Sequence, residues 1–419
     1  MSLNLLEKMK KNKEIIKNFE KLNRYVFSSP TLHIIVLTLQ CNHFCKYCRA
    51  TNNKIENTDM SEKTLLKTLD FILKTPSKSI TVEFQGGEPL FKWNLIKKGV
   101  EYLKEKNQIY NKDLIISIVT NLSLMDNEKL KFIIKNNISI CTSLDGPREV
   151  HNKNRIYLNG SSYDKVIYWF KKIKRLVEIS KNGETDSLPS ALMTTTKMSL
   201  NYPKEIIDEY RKLEIGGIFL RPLSPIGYAK NVWKDIGYSA NDFIDFYKKS
   251  IDYIIEINKK GEKFVERNAA IKLKKILLNE DPNFLDLRSP CGAVIGQLAY
   301  NYNGDIYTCD EGRMVGAFGD FTFKIGNVYK SKYKDILFSP KAVKCIYSSI
   351  NDLNPKCIRC NFKPYCGLCP VFNYETSKTL YGSYNSFYWC DIEKGIFEVI
   401  FEKIKNKKIK EIFLGWFYA

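Results

Sequence analysis

Three cysteines constrain this chain more than any other feature. They lie in the run Cys41-Asn-His-Phe-Cys45-Lys-Tyr-Cys48, spaced C-x3-C-x2-C, directly after the apolar stretch His33-Ile-Ile-Val-Leu-Thr-Leu. Thiolates this close can hold three corners of a [4Fe-4S] cube, leaving the fourth iron open to a small molecule. A structural zinc site wants four closed ligands, and no fourth cysteine or nearby histidine completes this set well. His43 lies inside the run, beside the cysteines, where its chelate geometry is poor.

From residue 32 onward, strand-like apolar runs alternate with amphipathic helical patterns. Strands are expected at Leu32–Leu39, Ser79–Phe84, Leu114–Thr120, Ile138–Leu144, Ser190–Thr195 and Gly216–Leu220. Helices are expected at Ser61–Lys74, Asn94–Lys106 and Asn127–Asn136, with Ser61 and Asn127 as N-caps. Repeated β-α units imply a parallel sheet with right-handed crossovers. Six of them predict an α/β fold, a partial (β/α)6 TIM-like barrel with its chemistry at the C-terminal strand ends. Cys41 falls just past the first strand, at such an end. The expected division is 1–31 as an amphipathic helical extension (Leu5, Met9, Ile15, Ile16, Phe19, Leu22), 32–230 as the barrel, 231–288 as a helical bridge, 289–390 as a small cysteine-rich domain, and 391–419 as a C-terminal helix with an apolar tail.

The 419 residues, 44% hydrophobic and 27% charged, are globular in composition. No apolar run reaches membrane-spanning length and no signal segment opens the chain, so a soluble, cytoplasmic protein with no membrane partner is expected. Eight of the twelve cysteines fall between 289 and 390. In an intracellular protein such clustering argues for metal rather than disulfides. The net charge of +20 would suit an acidic partner, but the lysines are scattered rather than gathered in a block. An AT-rich coding composition accounts for them, and no nucleic-acid partner is expected. A zinc-ribbon nucleic-acid-binding protein is the rival from another class, motivated by that charge and the C-x2-C pairs; metal analysis separates the two.

Other strand ends carry chemistry. In Thr81-Val-Glu-Phe-Gln-Gly86-Gly87-Glu88-Pro89 the glycine pair permits close approach of backbone to a ligand, and Glu88 offers a carboxylate to a cationic amine. Asn121 in Val119-Thr-Asn, and Ser143 and Asp145 in Thr142-Ser-Leu-Asp-Gly-Pro, can hold ribose hydroxyls; turn formation alone also explains the last segment. Arg155 and Arg221 are cations suited to a ligand carboxylate, to substrate, or to plain solvation. Cys141, within a strand, is most simply a small core residue. Downstream come Cys291, Cys309 and Cys345, then Cys357-x2-Cys360-x5-Cys366-x2-Cys369, and Cys390.

The C-x3-C-x2-C run with Tyr47 before its third cysteine, followed by the Gly86-Gly87-Glu88-Pro89 turn, resembles the radical S-adenosylmethionine (SAM) superfamily. The resemblance implies a [4Fe-4S] cluster on Cys41, Cys45 and Cys48 whose open iron chelates SAM. It places Tyr47, Gly86, Gly87, Glu88, Asn121, Ser143, Asp145 and Arg155 among the SAM contacts. The later cysteines resemble the SPASM domain, which holds two auxiliary Fe-S clusters. By that likeness Cys357, Cys360, Cys366 and Cys390 close one, and Cys291, Cys309 and Cys369 hold the other. Two departures stand out: the cysteine that often follows the first by a few residues is missing after Cys291, and the last gap is two residues rather than three. The incomplete cluster either keeps an open iron or is completed by Cys345. Asp310 follows Cys309 at the place where anaerobic sulfatase-maturating enzymes carry a base, and loop capping explains it equally well.

Over residues 32–395 the chain resembles the His-Xaa-Ser system maturases, through Glu83-Phe-Gln-Gly-Gly-Glu-Pro-Leu, Ser190-Ala-Leu-Met-Thr-Thr-Thr, Ile218-Phe-Leu-Arg-Pro-Leu-Ser-Pro and Asn303-Gly-Asp-Ile-Tyr-Thr-Cys. That implies an enzyme acting on a ribosomally made precursor peptide. A 5′-deoxyadenosyl radical would take hydrogen from a residue, and an oxidative C–C or thioether crosslink would follow, with auxiliary clusters taking the surplus electron. It also implies a one-electron reductant such as flavodoxin or ferredoxin, and allows a separate leader-recognition or partner maturase protein. The nearest rival enzyme is a sulfatase maturase forming formylglycine.

Overall fold

The computed structural model describes residues 13, 14, 17, 29–49, 56–180, 188–382 and 388–417. The amphipathic pattern over residues 1–30 therefore falls almost wholly outside the described residues. Along the rest, β1 (Leu32–Val36), β3 (Ser79–Gln85), β4 (Asp113–Val119), β5 (Ser139–Ser143) and β7 (Ser190–Leu192) pair in that order and in parallel. Two short strands, β2 (His43–Cys45) and β6 (Arg155–Tyr157), leave this sheet and pair with each other, antiparallel.

Strand pleating sorts the side chains, because alternate residues face opposite sides. Ile80, Val82 and Phe84 of β3 are buried against the helices Glu62–Leu73 and Trp93–Tyr110, through Leu65, Leu69, Ile96 and Val100. Glu83 and Gln85, between them, face the other way, into the barrel interior. Ser61 caps the first of these helices by accepting the Thr64 N–H at 3.1 Å. The helix Asn127–Lys135 is capped by Asp126 rather than by Asn127: the Asp126 carboxylate accepts the Lys129 N–H at 2.8 Å.

The sheet departs from a simple six-unit barrel in two places. The sixth strand, β8 (Gly217–Ile218), pairs in parallel with β9 (Val265–Glu266) instead of entering the main sheet. The backbone bond from Thr195 N–H to the Arg221 carbonyl, 3.1 Å, ties this segment to the fifth unit. Pro222 and Pro225 follow at once, and proline cannot extend a ladder. On the opposite side, β10 (Gln297–Tyr300), from the cysteine-rich segment, pairs in parallel with β1. β11 (Asp305–Tyr307) and β12 (Lys324–Asn327) continue antiparallel, giving eight strands in the order β12-β11-β10-β1-β3-β4-β5-β7. The N–H and C=O groups along the outer side of β1, which would otherwise be a bare sheet edge, are thus paired by the cysteine-rich segment.

Residues 231–288 are largely helical, with Ala240–Lys259 and Arg267–Leu278. The C-terminal pattern forms two helices, Tyr388–Ile404 and Lys407–Gly415, broken where Asn406 caps the second. Phe413 and Trp416 are buried, and the Trp416 indole N–H donates to Asn258 at 3.2 Å, so the apolar tail is docked. No helix among the described residues is long and apolar enough to cross a membrane.

Candidate active site and cysteine centres

The three cysteines of the first run line one cavity of about 240 Å³ at the C-terminal strand ends. β2, which carries His43 to Cys45, is too short to hold itself. Its pairing with β6 sets Cys45 opposite Arg155, and the Lys46 N–H donates to the Asn154 carbonyl at 3.0 Å. The Cys48 N–H closes a turn onto the Cys45 carbonyl at 3.0 Å, and the His43 N–H points at Cys41 Sγ from 3.4 Å. Burial pushes the Cys45 thiol up to about 12, against the nearby Arg155 charge. Burial likewise raises Cys41, and the Glu88 carboxylate adds to it.

Gly86 and Gly87 line the same cavity, but their close approach is to backbone. A Cβ on Gly87 would stand 2.1 Å from the Gln40 carbonyl oxygen, and one on Gly86 2.6 Å from that of Thr38. The Gly87 and Glu88 N–H groups donate to those carbonyls of Thr38 and Gln40, each at 2.8 Å. The glycine pair thus clamps the start of the cysteine loop against the end of β3. Glu88 is fully buried and does not line the cavity. Its carboxylate accepts from the Thr120 hydroxyl at 2.7 Å, the Asn121 N–H at 2.8 Å and the Leu90 N–H at 3.0 Å. It joins two strand ends where the sequence suggested a ligand contact.

Asn121, Ser143 and Arg155 reach the cavity, as does Arg221. The Asn121 amide donates to Asn42 at 3.0 Å and lies 3.9 Å from Cys41 Sγ. Asp145 stands behind the wall, fully buried: it accepts from Tyr47 Oη at 2.5 Å, Arg155 Nε at 3.2 Å and the Thr194 N–H at 3.2 Å. Arg155 also lies over the Tyr47 ring, 5.2 Å from its centroid, with Nη1 3.9 Å from Cys45 Sγ. Burial opposes its charge, yet Asp145, Tyr47 and Cys45 outweigh that and raise its basicity. Tyr47, itself on the cavity wall, and Asp145 behind it therefore hold Arg155 in place.

Two histidines brace the loop from behind. His43 Nε2 and His151 Nε2 each lie 2.9 Å from the Ser162 hydroxyl. The Asp145 N–H points at His151 Nδ1 from 3.3 Å, which leaves Nε2–H to donate to Ser162. Ser162 thus bridges the two rings, and Asn42 Oδ1 and the Asn121 amide nitrogen lie 3.1 Å and 3.0 Å from His43 Nδ1. Burial lowers His43 to about 4 and His151 to about 3, so both rings are neutral.

A second cavity of about 250 Å³ opens beside the first, sharing Gln85, Val119, Arg221 and Pro222 with it. Its walls mix apolar strand residues (Leu32, Ile34, Leu192) with Glu83, Asp286, Asp310 and Glu311. Burial raises the carboxyls of Glu83 and Asp286. Asp310 begins the helix Asp310–Gly316 and is gripped by the buried Arg313, with Nε at 3.0 Å and Nη2 at 2.9 Å. Met314, one turn on, reaches the outer cavity, so this one helix touches both chambers. Sequence reading missed Arg49, Glu83, Gln85 and Met314 among the lining residues. Glu83 and Gln85 did carry a signal: polar residues at alternate positions of a strand buried on both faces are unusual.

The later cysteines gather in two groups. Cys357, Cys360, Cys366 and Cys390 form one: burial and then the charges of Cys390 and Cys360 lift Cys357 to about 11, and Cys366 is raised by burial, with Cys357 and Cys390 among its neighbours. Cys291 and Cys309 are buried in one apolar cluster, with Cys369 packed against it. Each of these three sulfurs faces a backbone N–H: Ala293 at 3.5 Å, Gly312 at 3.3 Å and Phe372 at 3.4 Å respectively.

Comparison with known proteins agrees with this arrangement. Residues 35–183 match the Radical SAM superfamily, and residues 291–361 match the SPASM family, an iron-sulfur cluster-binding domain. The chain is a radical SAM enzyme with a SPASM domain. It is 26% identical over 395 residues to the radical SAM cyclopropyl synthase TigE of Paramaledivibacter caminithermalis, covering 89% of this chain and 74% of that one. It is also 26% identical over 337 residues to a cysteine-type anaerobic sulfatase-maturating enzyme of Clostridium novyi, covering 78% and 83%. The solved structure of anSMEcpe with AdoMet and a bound peptide superposes with a TM-score of 0.74 at 20% identity, covering 92% of this chain and all of that one. SuiB of Streptococcus suis bound to its precursor peptide SuiA gives 0.61 at 18% identity, covering 90% and 80%.

Iron–sulfur clusters and SAM are the cofactors of this radical SAM enzyme. The residues present fit them. Every cysteine is a free thiol. Cys41, Cys45 and Cys48 open on one cavity, and a cube spreads its thiolates over separate irons.

Proposed function

We propose that this radical SAM enzyme modifies a ribosomally synthesised peptide by closing an oxidative C–C or thioether crosslink. The observation that carries the reading is the pair of joined chambers, one lined by the three loop thiols and the other reaching the cysteine-rich segment. Cys41, Cys45 and Cys48 would hold the cluster with the open iron. Tyr47, Gly86, Gly87, Asn121, Ser143 and Arg155 would line the SAM site, with Glu88 and Asp145 fixing them from behind. Cys357, Cys360, Cys366 and Cys390 would close one auxiliary cluster, and Cys291, Cys309 and Cys369 would belong to the other. When bound, these cofactors supply a carbon radical able to take hydrogen from an unactivated carbon.

The chain's own residues do the remaining work. The apolar strand residues of the inner chamber exclude water from a reactive side chain. Arg221, 3.4 Å from Glu311, stands where the chambers meet and can orient a peptide carbonyl. Asp310, held on the wall by Arg313, can accept a proton at Oδ2 while Oδ1 stays bonded. SuiB with its precursor peptide and anSMEcpe with its bound peptide support a peptide substrate. An external one-electron reductant such as flavodoxin or ferredoxin, and a separate leader-recognition protein, belong to this reading.

The position of Asp310 on the chamber wall also favours a second reading, sulfatase maturation. Mixing the purified enzyme with SAM, a reductant and the short peptide encoded beside its gene tests both. A SAM-dependent loss of two hydrogens with no aldehyde supports the crosslink. A carbonyl-reactive product from a sulfatase peptide supports the second reading, and turnover of only a free small molecule overturns both.

A further inference from the structure

The group of Cys291, Cys309 and Cys369 is one thiol short of a fully ligated cube, and a fourth thiol lies beside it. The helix Pro340–Ser348, capped by Ser339, buries Ala342, Cys345 and Ser348 on one face, and Cys345 is 1% exposed. Its sulfur shares an apolar cluster with Cys291 and Cys309, against which Cys369 packs. A single hydroxyl marks how close they are: Thr308 Oγ1 points at Cys309 Sγ from 3.8 Å and also hydrogen-bonds the Cys345 thiol. A cysteine serving only as a small core hydrophobe has no reason to stand among three others. Cys141 shows that case: it lies within β5, outside the apolar cluster that holds these thiols.

We propose that Cys345 is the fourth thiolate of this auxiliary cluster, replacing from a helix the cysteine missing after Cys291. The inference rests on the reading that the group holds a cluster at all, and the experiment separates the two. Iron, sulfide and electron paramagnetic resonance spectra are compared for the anaerobically reconstituted full chain and its Cys345→Ser, Cys141→Ser and Cys291→Ser/Cys309→Ser/Cys369→Ser variants. Cys345→Ser is expected to lose about one iron per chain and, when oxidised, to show a three-iron signal, with Cys141→Ser unchanged. Full iron and unaltered spectra in Cys345→Ser overturn the proposal. Unchanged iron in the triple variant overturns the cluster reading beneath it.

A second arm does not depend on how Cys345→Ser folds. In the Cys41→Ala/Cys45→Ala/Cys48→Ala chain, which removes the other open iron, cyanide is added to the reduced auxiliary clusters. An unchanged spectrum is expected of fully ligated clusters; a cyanide-shifted signal reveals an open auxiliary iron and overturns the proposal.

Discussion

The loop cysteines and the buried cysteines show two ways of presenting thiols. Cys41, Cys45 and Cys48 are half-buried on and around a three-residue strand, beside a cavity whose wall carries Asn121, Ser143 and Arg155. Cys291, Cys309 and Cys345 are buried among Ile34, Val36, Ala299 and Phe372. The first arrangement leaves space and polar groups for a small molecule at the thiols. The second surrounds its sulfurs with apolar side chains and backbone N–H groups, the two levers by which a protein tunes a cluster's potential. On the proposed reading one site does chemistry on a ligand and the other moves electrons. The surroundings differ as those jobs require.

The largest effect should come from removing the loop thiols. Cys41→Ala/Cys45→Ala/Cys48→Ala is expected to abolish 5′-deoxyadenosine formation and to lose about four irons of about twelve. Auxiliary iron should remain, because the buried cysteines lie in a different apolar cluster. Iron analysis and product chromatography under reducing conditions check this. Appreciable 5′-deoxyadenosine from the variant, or loss of all iron, breaks the comparison.

Next is the support behind the loop. Arg155→Met leaves Asp145 buried at 0% exposure without its cation. Breaking a buried pair by removing one partner costs about 3–5 kcal/mol. The midpoint of denaturant unfolding, followed by tyrosine and tryptophan signals from the barrel, should fall accordingly. A change under about 1 kcal/mol would place the pair in the class of solvent-screened ion pairs. The loop would then not owe its shape to Arg155.

Much of this was legible in the chain itself, and the remainder divides along physical lines. Strand and helix patterns follow from local periodicity, so β1, β3, β4 and β5 lie where alternation and apolar runs set them. Cysteine spacing is local too, and the loop thiols line one cavity. What sequence order hides is contact between distant segments. The pairing of β10 with β1 joins residues some 265 positions apart along the chain, as Leu32 with Gln297 shows. The Ser162 bridge between His43 and His151 and the approach of Cys345 to Cys309 are of the same kind. Glu88 shows a different limit: a carboxylate beside a glycine pair looks the same in sequence whether it faces a ligand or bonds to the next strand end.

That carboxylate supplies the smallest and most specific test. Burial raises Glu88 from 4.5 to about 7, against the hydrogen bonds from Thr120, Asn121 and Leu90 that favour its charged form. Between these two pH values the folded chain binds more protons than the unfolded one. Its contribution is fully present below about pH 4.5 and is lost as pH rises through about 7. At 1.36 kcal/mol per unit the change is about 3 kcal/mol across the window. Glu88→Gln should lower stability at every pH, since its amide faces an N–H donor, but should remove this slope. Unfolding midpoints measured from pH 4.5 to pH 7.5 decide the matter. Parallel slopes in both proteins would show that Glu88 stays ionised throughout. In that case the Cys41 thiol stands permanently beside a negative charge, and the loop site differs from the buried set in its electrostatics as well as in its exposure.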